Sequence, residues 1–132
     1  MISDRPRHGA FPVPGELEED VYTVRAAYGA LEASDERAAA RFMDREVEWV
    51  HPAVTHLPFD GTVRGLPAVV RAAFRKNEDG TGPRVSAETF LEYGDGVLVA
   101  GRFIGEYGME DPFLHECFVR EGRIILIREY PA

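Results

Sequence analysis

The sequence predicts an α+β domain in which three helices of the N-terminal half pack on a curved, mostly antiparallel sheet. Apolar residues near the N-terminus recur at helical spacing, whereas those of the C-terminal half alternate in long runs separated by tight turns. Helices followed by a series of strands are typical of this architecture. The 132 residues predict one domain, because a chain of this length buries roughly two-thirds of its surface in a single core.

The first helix is predicted over residues 16–33. Its acidic first turn suits the helix dipole, and its apolar residues fall four, three, four and three positions apart on one face. These are Leu17, Val21, Val24, Tyr28 and Leu31. Residues 1–15, with three prolines, are predicted to be a flexible tail, which leaves 16–132 as the domain. A second, short helix over 36–42 follows Asp35, a residue that can cap it.

The middle of the chain is predicted to form a strand, a loop and a third helix. Val47, Trp49 and His51 alternate with other residues and the strand stops at Pro52. The stretch 53–65 has the proline and glycine content of a loop. Pro67 suits the first turn of the next helix.

The C-terminal half predicts a meander of long strands. Residues 84–93, 97–106 and 112–120 are separated by short turns containing glycine or aspartate, and a last turn leads into residues 124–130. Short turns join neighbouring strands in antiparallel order. We therefore expect residues 112–120 to pair antiparallel with both neighbours.

Composition excludes several classes of function. The net charge of −8 argues against nucleic acid and anionic membranes as partners, because phosphate contacts need a basic surface. No apolar run is long enough for a membrane helix, and no signal peptide is apparent. We therefore predict a cytoplasmic protein. Histidine and cysteine spacing predicts no metal site, and without a phosphate-binding glycine loop no cofactor is expected.

Four motifs in order carry a resemblance to a known superfamily. The chain resembles the SnoaL-like and ketosteroid isomerase-like members of the nuclear transport factor 2-like superfamily over about residues 17–131. The motifs are residues 28–35 (YGALEASD), 47–52 (VEWVHP), 57–65 (LPFDGTVRG) and 122–130 (GRIILIREY). The resemblance implies a cone-shaped α+β barrel, a conical pocket between sheet and helices, and frequent homodimers. Its members include isomerases, dehydratases, cyclases and hydrolases as well as proteins that only bind.

By this resemblance, the catalytic positions of ketosteroid isomerase correspond to His51, His115 and Ala27. All three differ from the aspartate base, protonated aspartate and tyrosine of that enzyme. Tyr28 lies one position from Ala27, and its hydroxyl either reaches the pocket or belongs to helix packing. The departures argue against steroid isomerisation and leave proton transfer open.

Strand alternation indicates the same two histidines independently. His51 shares a face with Val47 and Trp49, and His115 shares one with Phe113 and Cys117. A histidine on an apolar strand face can exchange a proton near neutral pH, or it can be a buried neutral side chain satisfied by hydrogen bonds. The two interpretations are even for this pair.

A small hydrophobic or cyclic molecule is the predicted ligand. Trp49, Phe59 and Phe90 are candidates to line its pocket, with plain core packing as the alternative for each. Phe90 stands out because simple alternation places it on the polar face of its strand. Arg102 and Arg128 are expected in ion pairs at the surface or at a dimer interface.

Two functions from different classes follow. The leading hypothesis is a cofactor-independent acid–base enzyme of isomerase, dehydratase, cyclase or hydrolase type, with His51 as base, His115 as acid and Tyr28 assisting. The rival is a non-catalytic binding or dimerisation module. We also expect a homodimer, because apolar residues alternate on the sheet face opposite His115. These are Leu98, Ala100, Ile104, Leu114, Phe118, Ile125 and Ile127.

Overall fold

A computed structural model describes residues 16–51 and 62–130 of the chain. The predicted tail (1–15) and the candidate pocket residue Phe59 lie outside these ranges. The helices are α1 (Glu16–Glu32), α2 (Glu36–Ala39) and α3 (Leu66–Ala73). The strands are β1 (Met43–Val50), β2 (Thr62–Arg64), β3 (Arg84–Tyr93), β4 (Gly96–Ile104), β5 (Glu110–Arg120) and β6 (Arg123–Tyr130).

The six strands form one mixed sheet in the order β2-β1-β6-β5-β4-β3. Strands β3 to β6 are an antiparallel meander, and β5 pairs antiparallel with both β4 and β6 as predicted. Strand β1 runs parallel to β6. Within the described residues the sheet is open, with β2 and β3 at its edges. The α+β prediction is confirmed, as an open cone-shaped fold and not a closed barrel.

The helices cover one face of the sheet. Helix α1 packs on β3 to β6 and α3 packs on β1 and β2. The face of α1 predicted from spacing is the buried one, since Val24, Tyr28 and Leu31 are 0–1% exposed. Burying one such apolar side chain contributes roughly 1.5–3 kcal/mol, so these contacts hold α1 against the strands that carry the site.

The first part of the sheet differs from the sequence prediction in two boundaries and in one additional strand. Strand β1 begins at Met43, earlier than expected, and α2 ends at Ala39, before Phe42. The predicted loop contains β2, which pairs with β1 and places Arg64 against Glu48 at 2.6 Å. Three residues are too few to leave an alternating pattern, which explains why β2 was missed.

A β-bulge in β3 decides which way Phe90 points. The register between β3 and β4 shifts between Ala87 and Thr89, and such a bulge turns the following side chains to the other face. Gly101 makes this possible, because a Cβ there would lie 2.2 Å from the Ser86 carbonyl oxygen. Phe90 therefore pairs with Val99 and packs against the core. The prediction that it shares a polar face is wrong.

No helix within residues 16–51 and 62–130 is long and apolar enough to cross a membrane.

Candidate active site

One transverse row of residues crosses the helix-covered face of the sheet. Register pairs Phe90 with Val99, Val99 with His115, and His115 with Glu129. His51 follows Val50, which pairs with Arg128, so His51 comes level with Glu129. The row therefore brings two histidines and a carboxylate together from β1, β6 and β5.

The part of this row around His115, called its inner end below, is closed to solvent. His115 is 0% exposed. The centroid of its ring lies 4.5 Å from that of the Phe113 ring and 5.7 Å from that of the Phe74 ring. Its Nδ1 is 2.7 Å from the Tyr28 hydroxyl, which is also 3.3 Å from Cys117 Sγ. Helix α1 thus supplies a buried polar partner to a strand residue, and both ends of that contact are fully enclosed.

The outer part of the row is centred on Glu129, whose side chain is 16% exposed. Its Oε1 accepts a hydrogen bond from Trp49 Nε1 at 3.1 Å and lies 3.3 Å from His115 Nε2. The structure describes two hydrogen bonds to this carboxylate, and Oε1 accepts both of them. Oε2 takes part in neither of these two bonds.

The surroundings keep Glu129 ionised. Burial acts to raise the pKa of this carboxyl, but the hydrogen bond from His115, the Trp49 N–H and the nearby His51 together hold the pKa below the ordinary glutamate value. A carboxylate that accepts hydrogen bonds is stabilised in its charged form. Glu129 is consequently a charged acceptor at neutral pH.

Burial acts on His115 in the opposite sense. It lowers the pKa of the ring below the ordinary histidine value, while Glu129 partly opposes the shift. Removing an imidazolium from water is costly, so His115 is neutral at pH 7.

His51 lies at the half-buried end of the row. Its ring is 5.3 Å from that of Trp49, and it is close enough to Glu129 to lower the pKa of that carboxyl. Glu129 thus lies between the two histidines that were predicted as a pair.

The other residues singled out from the sequence divide between the site and the surface. The Phe90 ring stands edge-on to Tyr28 with 6.1 Å between centroids, at the far end of the row. Arg102 forms exposed ion pairs with Glu88 and Glu110. Arg128 pairs with Glu116 on the opposite face. The expectation of ion pairs for both arginines is confirmed.

Glu129 is the functional candidate that sequence reasoning missed. A bulge between Phe118 and Val119 shifts the pairing of β5 with β6, so Ile127 faces Cys117 in the core and is 0% exposed. The prediction had put Ile127 on the outer face, which turned Glu129 outward as well. Alternation within β6 gave no signal for Glu129, because the inward position of Ile127 follows from the bulge.

Comparison with known proteins gives similarity in structure alone. No family model and no curated protein sequence matches the chain. TerC, co-crystallised with polyporic acid, is 22% identical with a TM-score of 0.64, over 86% of this chain and 92% of that one. Bal32a, from a soil-derived mobile gene cassette, is 23% identical with a TM-score of 0.68, over 87% and 90% of the two chains. A nuclear transport factor 2-like protein of unknown function from Burkholderia pseudomallei is 22% identical with a TM-score of 0.61, over 86% and 91%.

The chain has the nuclear transport factor 2-like fold. The fold that the resemblance implies is thereby confirmed. Because this fold hosts unrelated activities, the function has to be argued from the row of residues itself.

Proposed function

We propose that this nuclear transport factor 2-like protein is a cofactor-independent acid–base catalyst in which Glu129 takes a proton from a small hydrophobic or cyclic carbonyl compound. The observation that supports this most is an ionised, 16% exposed carboxylate with both described hydrogen bonds on one oxygen. A positioned carboxylate of this kind is a suitable general base.

The geometry favours a different division of roles from the one predicted. His115 is 0% exposed and both its ring nitrogens have partners, so it positions Glu129 and does not reach a ligand. His51, half-buried beside Trp49, is the group that can meet a substrate oxygen. We therefore assign the base to Glu129 and the acid to His51.

The proton transfers balance with these two groups. Glu129 Oε2 takes the proton from a carbon next to the carbonyl, so a C–H bond breaks and an O–H bond forms. His51 in its protonated form gives a proton or a hydrogen bond to the carbonyl oxygen, where negative charge develops. In an isomerisation, Glu129 returns its proton to another carbon and the carbonyl oxygen gives its proton back to His51. In a dehydration, Glu129 gives its proton to a β-hydroxyl, which leaves as water while the C=C bond forms, and the carbonyl oxygen again gives its proton back to His51.

The charge of Glu129 also limits the substrate. A partly buried anion repels a ligand carboxylate at short range more strongly than two solvated charges would repel each other. A neutral compound carrying an acidic C–H or a hydrogen-bond donor suits this carboxylate.

A specific observation favours the rival function. Tyr28, His115 and Cys117 are all 0% exposed, so the inner end of the row is filled by the protein itself. A binding module would use only the outer part, where Trp49 and His51 lie. Both functions place the ligand against Glu129. They differ in whether a C–H bond of the ligand breaks.

Deuterium exchange separates the two functions without knowledge of the full reaction. We expect at least one compound in a panel of cyclic ketones and 1,3-dicarbonyls to take up deuterium at carbon from D2O faster with the protein than in buffer, measured by mass spectrometry. Fluorescence of Trp49, the only tryptophan, reports binding in parallel. Binding with no exchange in any compound would support the module and contradict the enzyme.

A homodimer through the outer sheet face is the second part of the proposal. The apolar outer side chains include Leu98 and Leu114, both half-buried, and Leu91, which is 56% exposed. Covering such a patch is favourable in proportion to its apolar area. Light scattering should give twice the chain mass at micromolar concentration and the single mass for Leu114→Arg. Tyr107→Arg, at a turn residue 96% exposed, is the matched control. A monomeric wild type would contradict the dimer.

A further inference from the structure

Four side chains form a continuous series of contacts that ends on the proposed base. Cys117 Sγ lies 3.3 Å from the Tyr28 hydroxyl, that hydroxyl lies 2.7 Å from His115 Nδ1, and His115 Nε2 lies 3.3 Å from Glu129 Oε1. Cys117, Tyr28 and His115 are each 0% exposed, so water does not replace a missing partner. Each contact must therefore be made with the protons that these groups carry.

Only one direction of hydrogen-bond donation along the four side chains satisfies every contact. An ionised carboxylate accepts and cannot donate, so His115 Nε2 must carry a proton. The ring is neutral, which leaves Nδ1 bare and able to accept from the Tyr28 O–H. That hydroxyl has a single proton, so its contact with Cys117 requires the S–H to donate. The reverse direction would place a bare Nε2 against the charged oxygen of Glu129.

We propose that Cys117, Tyr28 and His115 are a one-directional series of hydrogen-bond donors, and that Cys117 and Tyr28 are positioning residues for Glu129. The inference rests on the proposed function of Glu129 as the reactive carboxylate. It goes beyond that function by assigning a tautomer to His115 and a role to a buried thiol.

The series acts on Glu129 through polarisation. A donor on Nδ1 draws electron density from the imidazole and makes Nε2–H a stronger donor, the cooperative effect expected in a low-dielectric interior. A stronger donor on Oε1 favours the ionised form of Glu129 and fixes Oε2 toward the outer part of the row. Tyr28 thereby influences a carboxylate that it does not contact.

Burial is consistent with this assignment of protons. It raises the pKa of the Tyr28 hydroxyl well above the ordinary tyrosine value, and it raises the pKa of Cys117 to about 12. Both groups keep their protons at neutral pH and remain available as donors.

Trp49 provides the readout, because its indole N–H donates to Glu129 Oε1 and no other tryptophan is present. We expect its fluorescence to follow the ionisation of Glu129, with a midpoint below the ordinary glutamate value. Tyr28→Phe should move the midpoint upward by about half a pH unit, Cys117→Ala by less, and Cys117→Ser should restore it. Glu129→Gln should remove the step. Tyr130→Phe, which loses a bond to Glu116 on the opposite face, is the control and should not move it.

A second measurement, at neutral pH, tests the proposal even if acid unfolds the protein before Glu129 titrates. Ring-nitrogen NMR shifts of His115 at neutral pH should report the proton on Nε2. A proton on Nδ1, or a midpoint that Tyr28→Phe leaves unchanged, would overturn the proposal. Both measurements use the protein without substrate, so their failure is distinct from a failure of deuterium exchange.

Discussion

His115→Phe should lower the free energy of unfolding by about 2–4 kcal/mol, although it replaces one buried ring by another. A buried group left without its partner costs about 1–3 kcal/mol, and more when it is charged. The substitution takes a hydrogen bond from Tyr28 and another from the ionised Glu129. Urea denaturation followed by circular dichroism measures this loss.

A double-mutant cycle shows whether the loss comes from the hydrogen bond or from packing. Removing both polar partners of a buried pair is less costly than removing one. Tyr28→Phe combined with His115→Phe should therefore destabilise by less than the sum of the single changes, by about 0.5–3 kcal/mol. Additive effects would contradict a hydrogen-bonded pair.

His115→Phe should also change how the free energy of unfolding depends on pH. Burial holds the His115 pKa below its ordinary value of 6.5, so the unfolded chain binds a proton first as pH falls. The stability linked to neutral His115 is present above pH 6.5 and is lost as pH falls from there toward the folded pKa. His115→Phe should lack this part of the pH dependence. A variant that keeps it would show that another group is responsible.

The fold was largely predictable because its signals are local. Helix α1 was expected over 16–33 and spans Glu16–Glu32, because helical spacing and an acidic first turn act within one segment. The strands of the meander were expected within two or three residues of their ends, because glycine-containing turns mark those ends. Strand β2 was missed because three residues gain their structure from pairing with β1 and leave no pattern of their own.

The site was predictable only in part, because register is a property of two strands. His51 and His115 were found from alternation within their own strands. Glu129 was missed, since the bulge between Phe118 and Val119 shifts the phase of β6 against β5. Phe90 was assigned to the wrong face for the same reason, through the bulge after Ala87. A bulge follows from packing between strands, so simple alternation cannot reveal it.

Because alternation describes each strand separately, the sequence analysis treated the two histidines as a pair and omitted the carboxylate between them. Alternation shows that each faces the core but gives no distance between them. Strand order places β6 between β1 and β5, and β6 carries Glu129 at that level. The carboxylate changes the chemistry, because His115, which burial keeps neutral, donates to it, and His51 is the half-buried histidine of the two.

The central claim is that Glu129 is the proton acceptor of this site, and Glu129→Gln tests it. Glutamine keeps the shape of the side chain and lacks a basic oxygen, so both hydrogen-bond donors around Oε1 still find an acceptor. Loss of a general base typically costs about 100- to 10,000-fold in rate. We expect a loss of that size in deuterium exchange with little change in Trp49-detected binding of a neutral ligand.

The matched control is Glu116→Gln. Glu116 is a carboxylate of similar burial, 7% exposed at its side chain, hydrogen-bonded to Arg128 and Tyr130 on the opposite face of the sheet. The decisive measurement is the exchange rate of one active compound in D2O with wild type, Glu129→Gln and Glu116→Gln at equal folded concentration. The proposed mechanism predicts exchange with wild type and Glu116→Gln and a loss of at least about 100-fold with Glu129→Gln. Exchange by Glu129→Gln at the wild-type rate would contradict it.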